Sequence, residues 1–451
     1  MSASASVSVS SSPGRSQHAA ILIVVYVVVL LLPVILGAFQ DLPHRSLIRE
    51  FTDALLLIGF MALYIQFILS GRFKAISGRF GIDLVMRLHQ LMARILAVFL
   101  LVHPFLVVRP WESTSRAFER ASVLFFTPST NTGIIAWFLL LILVLVAIFR
   151  DRLHIRYEAW RLSHGIGTLA MASLATHHAI NLGRHSNTMF ITLWLILLAL
   201  SALTLLYIHV IKPLRKRAHP YHVVSNTQVG DGLWNVTITP DYPGRLEFAA
   251  GQFVWLTLGR SPFSINEHPF SIASCPSESP DISFLIKESG DFTSRIGEIQ
   301  PGSQAYFDGP HGNCTLAGRY GTGICLIAGG AGIAPAMSII RQLHASRDRR
   351  PIRLIYGANR EGESVFTEEL KAMQEDINLS EYLVLSEPPP NWHGLQGILD
   401  EHTLDMCLTD SGRKNWLYFV WGPDVMLKSV RRALRGWGVP RHQIVTERFT
   451  F

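Results

Sequence analysis

Residues 82–108 read IDLVMRLHQLMARILAVFLLVHPFLVV, a long apolar run that contains two histidines, His89 and His103. As a helix, a run of this length reaches across the hydrocarbon core of a bilayer, which is about 30 Å thick. The histidines share one helix face about 21 Å apart, because the residues between them turn through about 40° less than four full turns. Ionisable side chains inside a membrane are costly and tend to mark function. The stretch therefore predicts a membrane helix that presents two functional imidazoles.

Five further apolar stretches predict membrane helices, at residues 19–39, 51–70, 131–150, 158–181 and 188–211. Charged residues make up only 16% of the chain, against about 25% in a soluble domain. This composition excludes a wholly soluble, disordered or fibrous protein. A cleaved signal peptide is the alternative for residues 19–39, but the stretch is too long and lacks a clear cleavage site. The Ser/Ala-rich residues 1–17 predict a disordered tail.

The distribution of charge predicts the topology. Eleven Lys and Arg residues flank the six spans on the side of the N-terminus and six flank them on the other side, so both termini are expected to be cytosolic. We expect a multi-pass protein of the plasma or inner membrane, in contact with lipid. The net charge of +7 comes without a Lys/Arg run or basic-aromatic stripe, which argues against nucleic acid as a partner. The four cysteines form no CxxC pair, as is typical of a reducing compartment.

The fifth span repeats the histidine spacing of the third. His164 and His178 are as far apart as His89 and His103. A single histidine in an apolar stretch is more often a packed residue, but two helices with matching pairs can bind two stacked b-type haems. His89 then pairs with His164 near the cytosol, and His103 pairs with His178 near the outer side. His177 lies about 140° from His164 in helical phase, and a local bulge could still make it the ligand.

The pattern of apolar residues changes after residue 217, where the long apolar runs give way to short segments. Alternating segments at Trp234–Ile238, Phe253–Leu258 and Ile282–Ile286, separated by turn residues, predict a small antiparallel barrel. Short apolar strands follow at Ile324–Ala328, Ile352–Tyr356 and Leu417–Trp421 and alternate with helical stretches, which predicts an α/β domain with a parallel sheet. The predicted domains are the helical region 18–217, the barrel 218–318 and the α/β domain 319–451.

Two motifs lie in the predicted barrel. Glu267-His268-Pro269-Phe270-Ser271-Ile272 follows the strand 252–258, and a simple turn at the strand end is the alternative explanation. Lys287-Glu-Ser-Gly290-Asp-Phe-Thr293 opens a helix. Glycine permits close backbone approach there, and a lysine with free helix N–H groups suits a pyrophosphate. A capped helix start would produce the same pattern.

The α/β domain carries Gly330-Ala-Gly332-Ile-Ala-Pro335 between a strand and an apolar-periodic helix, the setting of a nicotinamide nucleotide loop. The next strand leads to Arg360, and a cation there suits the 2′-phosphate of NADPH. A solvated loop arginine is the alternative.

Together these motifs resemble the ferric reductase and NADPH oxidase family of transmembrane flavocytochromes b, over about residues 50–451. The resemblance implies a multi-domain fold, in which a six-helix transmembrane haem bundle is fused to a ferredoxin-reductase-like module. That module consists of an antiparallel β-barrel FAD domain and an α/β nucleotide-binding domain that takes NADPH, with NADH as the alternative.

The resemblance also implies roles for residues of the flavin motif. His-Pro-Phe-Ser is the flavin motif of the family, so His268 with Pro269 is expected by the FAD phosphates. Phe270 is expected to pack on the flavin, and the Ser271 hydroxyl to face flavin N5. Lys287, Gly290 and Thr293 correspond to the diphosphate loop.

The end of the chain departs from the family in one place. Trp421-Gly422-Pro423 stands where the family usually has Cys-Gly-Pro beside the nicotinamide. The chain finishes Glu447-Arg448-Phe449-Thr450-Phe451. In the family a late aromatic covers the flavin until the nicotinamide displaces it. Phe449 fits that spacing better, although Phe451 is the true end, and an ordinary final strand would show the same alternation.

The implied function is electron transfer from cytosolic NADPH through FAD and two haems b to an acceptor across the membrane, either oxygen or a ferric chelate. Oxidases of the family often carry a further histidine where this chain has Val107, and Arg49 and Arg109 could hold superoxide or an anionic iron chelate. The alternatives are an electron-supplying membrane subunit for a separate extracytoplasmic partner protein and, from a different class, a six-span transporter with a regulatory domain.

Overall fold

The computed structural model describes residues 14–43, 45–70, 73, 82–107, 127–150, 152–242, 244, 246–409 and 413–447. The chain divides into two compact units, with the main boundary between Ile211 and Lys212. This boundary lies before the basic stretch Lys212–Arg217, which the sequence placed in the helical region. That stretch therefore belongs to the second unit.

Six long helices form the first unit in the part of the chain that the structure describes. They are α1 Gly14–Ala38, α2 Leu47–Ser70, α3 Ile82–Val107, α4 Pro128–Phe149, α5 Tyr157–Leu182 and α6 Thr188–Leu206. Helix α1 begins within the predicted disordered tail, so residues 14–17 are helical, and residues 1–13 lie outside the described residues. Helix α6 continues through the π-helical turn Tyr207–Ile211 into α7 Lys212–Arg217.

Four stretches of the described helices are long and apolar enough to cross a membrane, at Leu47–Ser70, Val85–Leu106, Pro128–Phe149 and Thr188–Arg217. Helix α1 contributes a shorter apolar stretch, Ile23–Ala38, and α5 does not reach the same hydropathy. In α2, 56% of the most apolar window is buried, against 11–17% in the other three. Helix α2 is therefore the central helix, and its Tyr64 hydroxyl hydrogen-bonds Thr176 of α5 at 2.6 Å.

The second unit begins with a six-stranded antiparallel sheet. Its strands are β1 Tyr221–Gly230, β2 Leu233–Pro240, β3 Phe253–Leu258, β4 His268–Ser271, β5 Ile282–Lys287 and β6 Gln304–His311. Their order is β4-β3-β6-β1-β2-β5. A bridge between Ile272 and Phe284 joins the chain after β4 to β5, so the two edges meet and the sheet closes into the predicted barrel.

A six-stranded parallel sheet completes the second unit. Its strands are β7 Ile324–Gly329, β8 Ile352–Ala358, β9 Leu379–Leu385, β10 Leu395–Gln396, β11 Leu417–Trp421 and β12 Ile444–Thr446, in the order β10-β9-β8-β7-β11-β12. The helices between them are α8 Ile333–Ala345, α9 Thr367–Met373, α10 Glu401–Cys407 and α11 Asp424–Gly436.

The parallel sheet is buried on both faces. Side chains of β7 alternate between two cores, because Leu326 packs in the cluster that contains α8 and Ile327 packs in the cluster that contains α11. This is a three-layer α/β arrangement, as predicted. All four cysteines are buried, and none of them forms a disulfide.

Candidate functional site

The structure brings the intramembrane histidines together in two pairs. His89 and His103 lie on α3, and His164 and His178 lie on α5. The side chain of His89 interacts electrostatically with that of His164, and the side chain of His103 interacts with that of His178. Each pair offers one imidazole from α3 and one from α5, and their role as haem ligands stays a prediction.

The His103–His178 pair is oriented by main-chain carbonyls. Nδ1 of His103 lies 2.5 Å from the Leu100 carbonyl oxygen, and Nδ1 of His178 lies 2.9 Å from that of Ser129. A carbonyl only accepts, so each Nδ1 carries the proton and donates it. That leaves each Nε2 with a lone pair, as in metal-ligating histidines whose other nitrogen is bonded to a carbonyl.

Gly133 of α4 makes room for His178. A Cβ at Gly133 would lie 2.4 Å from the His178 Nδ1, so a side chain there would displace the ring. The neighbouring His177 is exposed, and its Nδ1 contacts the Thr132 hydroxyl at 3.0 Å. The geometry therefore favours His178 over His177 as the ligand in this pair.

The His89–His164 pair lies among other buried polar groups of the first unit. Nδ1 of His89 and Nδ1 of His164 are buried and find no hydrogen-bond partner among the described residues. The His89 ring lies near the main chain of Gln66, which is 8% exposed and whose amide is also unpartnered there. The Trp160 ring stacks on His164 with centroids 5.3 Å apart. Buried polar atoms normally have partners, so this group of side chains fits a bound group that has polar atoms and a metal.

The flavin motif forms strand β4, which pairs with β3 so that Phe270 lies opposite Val254. Its four residues, His268, Pro269, Phe270 and Ser271, are all half-buried. The His268 ring stacks on Phe292 at 4.4 Å with an interplanar angle of 11°. The strand therefore presents partly open aromatic and hydroxyl groups from a fixed backbone.

The predicted diphosphate loop forms a tight turn. The Ser289 and Gly290 N–H groups each donate to the Thr293 hydroxyl at 2.9 Å, and a Cβ at Gly290 would meet nothing within 4 Å. The Lys287 ammonium donates to Glu363 at 2.7 Å. Sequence reasoning missed Glu363, for which the only signal was an acidic residue in the loop that carries Arg360.

The nucleotide loop follows β7 and leads into α8. Gly330 has a φ of +55°, which favours glycine, and a Cβ there would meet nothing within 4 Å. A Cβ at Gly332 would lie 2.6 Å from the Trp421 carbonyl oxygen, so glycine permits the close approach of β11. Pro335 is buried in the first turn of α8, where a missing N–H costs nothing.

Trp421, which stands where the family usually has a cysteine beside the nicotinamide, lies in the core. The ring is 1% exposed and stacks on Phe419 in the cluster that contains α8. Its position at the end of a central parallel strand explains this, because such strands are covered on both faces. Gly422 packs closely against Met426, and Pro423 precedes the first turn of α11.

Arg360 is available to a ligand. Its side chain is 71% exposed and pairs with Glu387 at 2.9 Å, and the hydrogen bond to Glu387 raises the pKa of Arg360. Glu447 is buried, with its carboxylate against Gly312. Phe449 and Phe451 lie outside the described residues.

Arg341 of α8 was not predicted from the sequence, and it joins the parts of the second unit. It donates to both carboxylate oxygens of Glu369 at 2.6 and 2.7 Å, and to the Ala273 carbonyl of the barrel at 2.9 Å. Burial alone would lower the pKa of Arg341, but the bonds to Glu369 raise it. Ser338 of α8 likewise donates to the Ser274 carbonyl at 2.7 Å.

Three family models match the chain in this order: a ferric reductase like transmembrane component at residues 56–175, an FAD-binding domain at 235–317 and an oxidoreductase NAD-binding domain at 326–432. This sequence of domains is the architecture of the ferric reductase and NADPH oxidase family. The matches therefore show a ferric reductase like transmembrane component followed by an FAD-binding domain and an oxidoreductase NAD-binding domain.

Curated relatives match only part of the chain. The reductase component of propane 2-monooxygenase from Mycolicibacterium goodii is 28% identical over 222 residues, which are 48% of this chain and 63% of the relative. Ferredoxin–NADP reductase B from Sorangium cellulosum is 29% identical over 209 residues, which are 45% of this chain and 85% of that relative. The flavohemoglobin structure from Malassezia yamatoensis is 18% identical, covers 80% of this chain and 97% of its own, and has a TM-score of 0.48. The chain thus spans 63% of the length of the monooxygenase reductase component.

Proposed function

We propose that the protein carries electrons from cytosolic NADPH, through FAD and two haems b, to an acceptor on the opposite side of a membrane. The observation that carries this proposal is the presence of two histidine pairs, each with one residue on α3 and one on α5. The rings of His103 and His178 are oriented by the Leu100 and Ser129 carbonyls. When bound, the flavin would accept a hydride and release single electrons, which the haem irons would take one at a time.

In this proposal residues 18–217 form a six-span bundle with both termini in the cytosol, residues 218–318 bind FAD and residues 319–451 bind the nucleotide. His89 with His164, and His103 with His178, would hold the two haems. Each of the described helices α1–α6 has at least 19 residues, which reach about 28 Å at about 1.5 Å each, and four stretches among them are also apolar enough to cross a membrane. Gly133 would keep α4 close enough to hold the His178 ring in place.

Strand β4 and the loop from Lys287 to Thr293 would hold FAD. The backbone N–H groups of Ser289 and Gly290 converge on the Thr293 hydroxyl at this turn, and they would exchange that hydroxyl for a phosphate oxygen, since such groups suit a phosphate. Lys287 would exchange Glu363 for the diphosphate, because a lysine ammonium has three donors that rotate freely. Ser271 would contact the flavin ring.

The Gly330–Gly332 turn and the start of α8 would bind the nucleotide diphosphate, as helix N-termini do. Arg360 would leave Glu387 for the 2′-phosphate of NADPH. That exchange is cheap, since an exposed ion pair contributes only about 0–1 kcal/mol.

The acceptor is oxygen, with superoxide as the product, or a ferric chelate. A second candidate is an electron-supplying subunit for a separate extracytoplasmic protein. The names of the relatives favour that candidate in one respect, because the propane 2-monooxygenase homologues are reductase components.

The test is NADPH oxidation by the purified chain in detergent, first in air with and without superoxide dismutase, then anaerobically with ferric citrate. NADH is run in parallel. Superoxide formation supports the oxidase, ferric citrate reduction supports the ferric reductase, and reduced haem that persists in both supports a protein partner. Haem that NADPH does not reduce would contradict the proposal.

A further inference from the structure

Helix α7 contacts the barrel through two ion pairs. Lys216 pairs with Glu267, and Lys212 pairs with Asp308. The side chains of Lys216 and Glu267 are only 7% and 11% exposed, and those of Lys212 and Asp308 are 19% and 7% exposed. The two flanking arginines, Arg215 and Arg217, are exposed.

The four charges are built into the structure. Lys212 and Lys216 are four residues apart and so share one face of α7. Nε2 of His311 lies 3.5 Å from Asp308. Burial alone would raise the pKa of Asp308, but His311 and Lys212 hold it well below its usual range, so this carboxylate stays charged at neutral pH. A buried pair fixes one geometry, because losing one partner leaves an uncompensated buried charge.

Both carboxylates that pair with the lysines, Glu267 and Asp308, lie on the side of the barrel that carries the flavin motif. Glu267 immediately precedes β4, which carries His268 to Ser271. Asp308 is on β6 and lies opposite Trp255 of β3, and β3 is the strand that pairs with β4. The two lysines of α7 therefore contact the β4-β3-β6 side of the barrel at two points.

We propose that Lys212 and Lys216 are positioning residues, which fix the flavin strand to α7, the helix into which α6 continues, and so set the rate at which electrons pass from FAD to the haem. This rests on the proposed function, since it takes FAD as donor and haem as acceptor. Anionic lipid is the other natural partner of basic residues that follow a membrane helix, but the carboxylates already hold these two lysines.

The experiment uses the full chain with the double variant Lys216→Met/Glu267→Gln, which removes both charges and leaves neither buried alone. Two anaerobic rates are measured by stopped flow, NADPH reduction of a soluble dye and NADPH reduction of the haem. We expect an unchanged dye rate and a haem rate at least about tenfold slower, because displacing reacting groups by about 1 Å can cost roughly 10²-fold. The single variant Lys216→Arg keeps the charge and should retain most of the rate of haem reduction seen in the unmodified chain.

Arg217→Met is the matched control, an exposed cation one residue away. It should leave both rates unchanged, and a haem rate that falls equally in this control would overturn the proposal in favour of charge at the membrane surface. Hydrogen–deuterium exchange should rise at residues 212–217 and 267–271 in the double variant alone. Loosened segments with an unchanged haem rate would overturn the proposal, and so would loss of the dye rate, which would place the pair in flavin binding. Failure of the proposed function is distinguishable, because the unmodified chain would then lack haem or fail to reduce it.

Discussion

The two units of the molecule differ in where their buried polar groups lie and in whether those groups have hydrogen-bond partners. In the second unit, the buried Ser338 hydroxyl and the partly buried Arg341 guanidinium each have partners, the Ser274 carbonyl, and Glu369 with the Ala273 carbonyl. In the first unit, the ring Nδ1 atoms of His89 and His164 and the Gln66 amide are buried without a hydrogen-bond partner among the described residues. The second unit also has buried polar atoms without a hydrogen-bond partner among the described residues, for example the Trp421 indole nitrogen. In the first unit such atoms gather around the His89–His164 pair, where a bound group would satisfy them.

The surfaces of the units differ in the same direction. Every long helix of the first unit exposes large apolar side chains, for example Ile35, Phe51, Phe105, Phe138, Ile166 and Leu195. An exposed apolar surface of this extent marks contact with lipid or a partner. The second unit has a continuous apolar core between its sheet and helices. The first unit therefore depends on its surroundings, and the following predictions test that difference.

The largest expected effect is on haem. Changing His89 or His164 to Leu should remove one of the two haems and abolish electron transfer across the membrane, because an apolar side chain cannot ligate iron. Reduction of a soluble dye by NADPH should be unchanged, since it needs only the second unit. Haem per chain is measured from the pyridine haemochrome spectrum. The control is His177→Leu, which should keep both haems because His177 is exposed. Two haems in a His89→Leu preparation would contradict the assignment.

The second effect is on the stability of the second unit alone. Trp421→Cys introduces the residue usual in the family, and it should cost about 3–5 kcal/mol, as large-to-small changes in cores do. Denaturant unfolding followed by flavin fluorescence measures this, and the haem spectrum should not change. Trp437→Cys, at a half-buried position, should cost much less. Equal stability of the Trp421→Cys variant and the unmodified chain would show that the ring is not part of the core.

The strands, the histidines and Trp421 show how much of the structure could be predicted from the sequence. The limits of β3 and β11 were predicted as observed, because apolar runs between turn residues leave little freedom for a strand. The histidine pairs followed from equal spacing on two helices. The direction of the Trp421 ring could not be predicted, since the face on which a strand-end side chain packs depends on the helices around it.

The ion pairs could not be predicted from the sequence either. Lys287 and Glu363 are 76 residues apart, and only the tertiary fold brings them together. The stretch KPLRKR at 212–217 is typical of a solvated basic segment after a membrane helix, and nothing local distinguishes the buried Lys216 from the exposed Arg217. The place of the motifs in the fold was therefore predictable from the sequence, and the ion-pair partners of their residues were not.

A third prediction concerns FAD affinity. Glu363→Gln should free Lys287 for the diphosphate and tighten FAD binding roughly tenfold, because a charged hydrogen bond contributes about 1.5–3 kcal/mol and each 1.4 kcal/mol is a decade. Titration of the apoprotein by flavin fluorescence gives the Kd. Glu368→Gln is the control, since Glu368 is exposed and pairs with Lys371 instead. Weaker FAD binding in Glu363→Gln would mean that Glu363 supports the loop and does not compete.

The smallest expected effect is on the choice of nucleotide, because Arg360 acts from a solvated position. Arg360→Ser should lower kcat/KM for NADPH about three- to fivefold, since an exposed charge contact contributes about 0–1 kcal/mol. The value for NADH should not change, because NADH has no 2′-phosphate for the guanidinium to contact. The loss should shrink at high salt, which screens exposed charges. Glu387→Gln is the reciprocal variant: it removes the carboxylate that holds Arg360 and should raise the preference for NADPH slightly. Steady-state kinetics with both nucleotides at two ionic strengths measures all of this. If NADH suffers as much as NADPH in Arg360→Ser, the arginine maintains the loop after β8, and the 2′-phosphate contact must come from another residue.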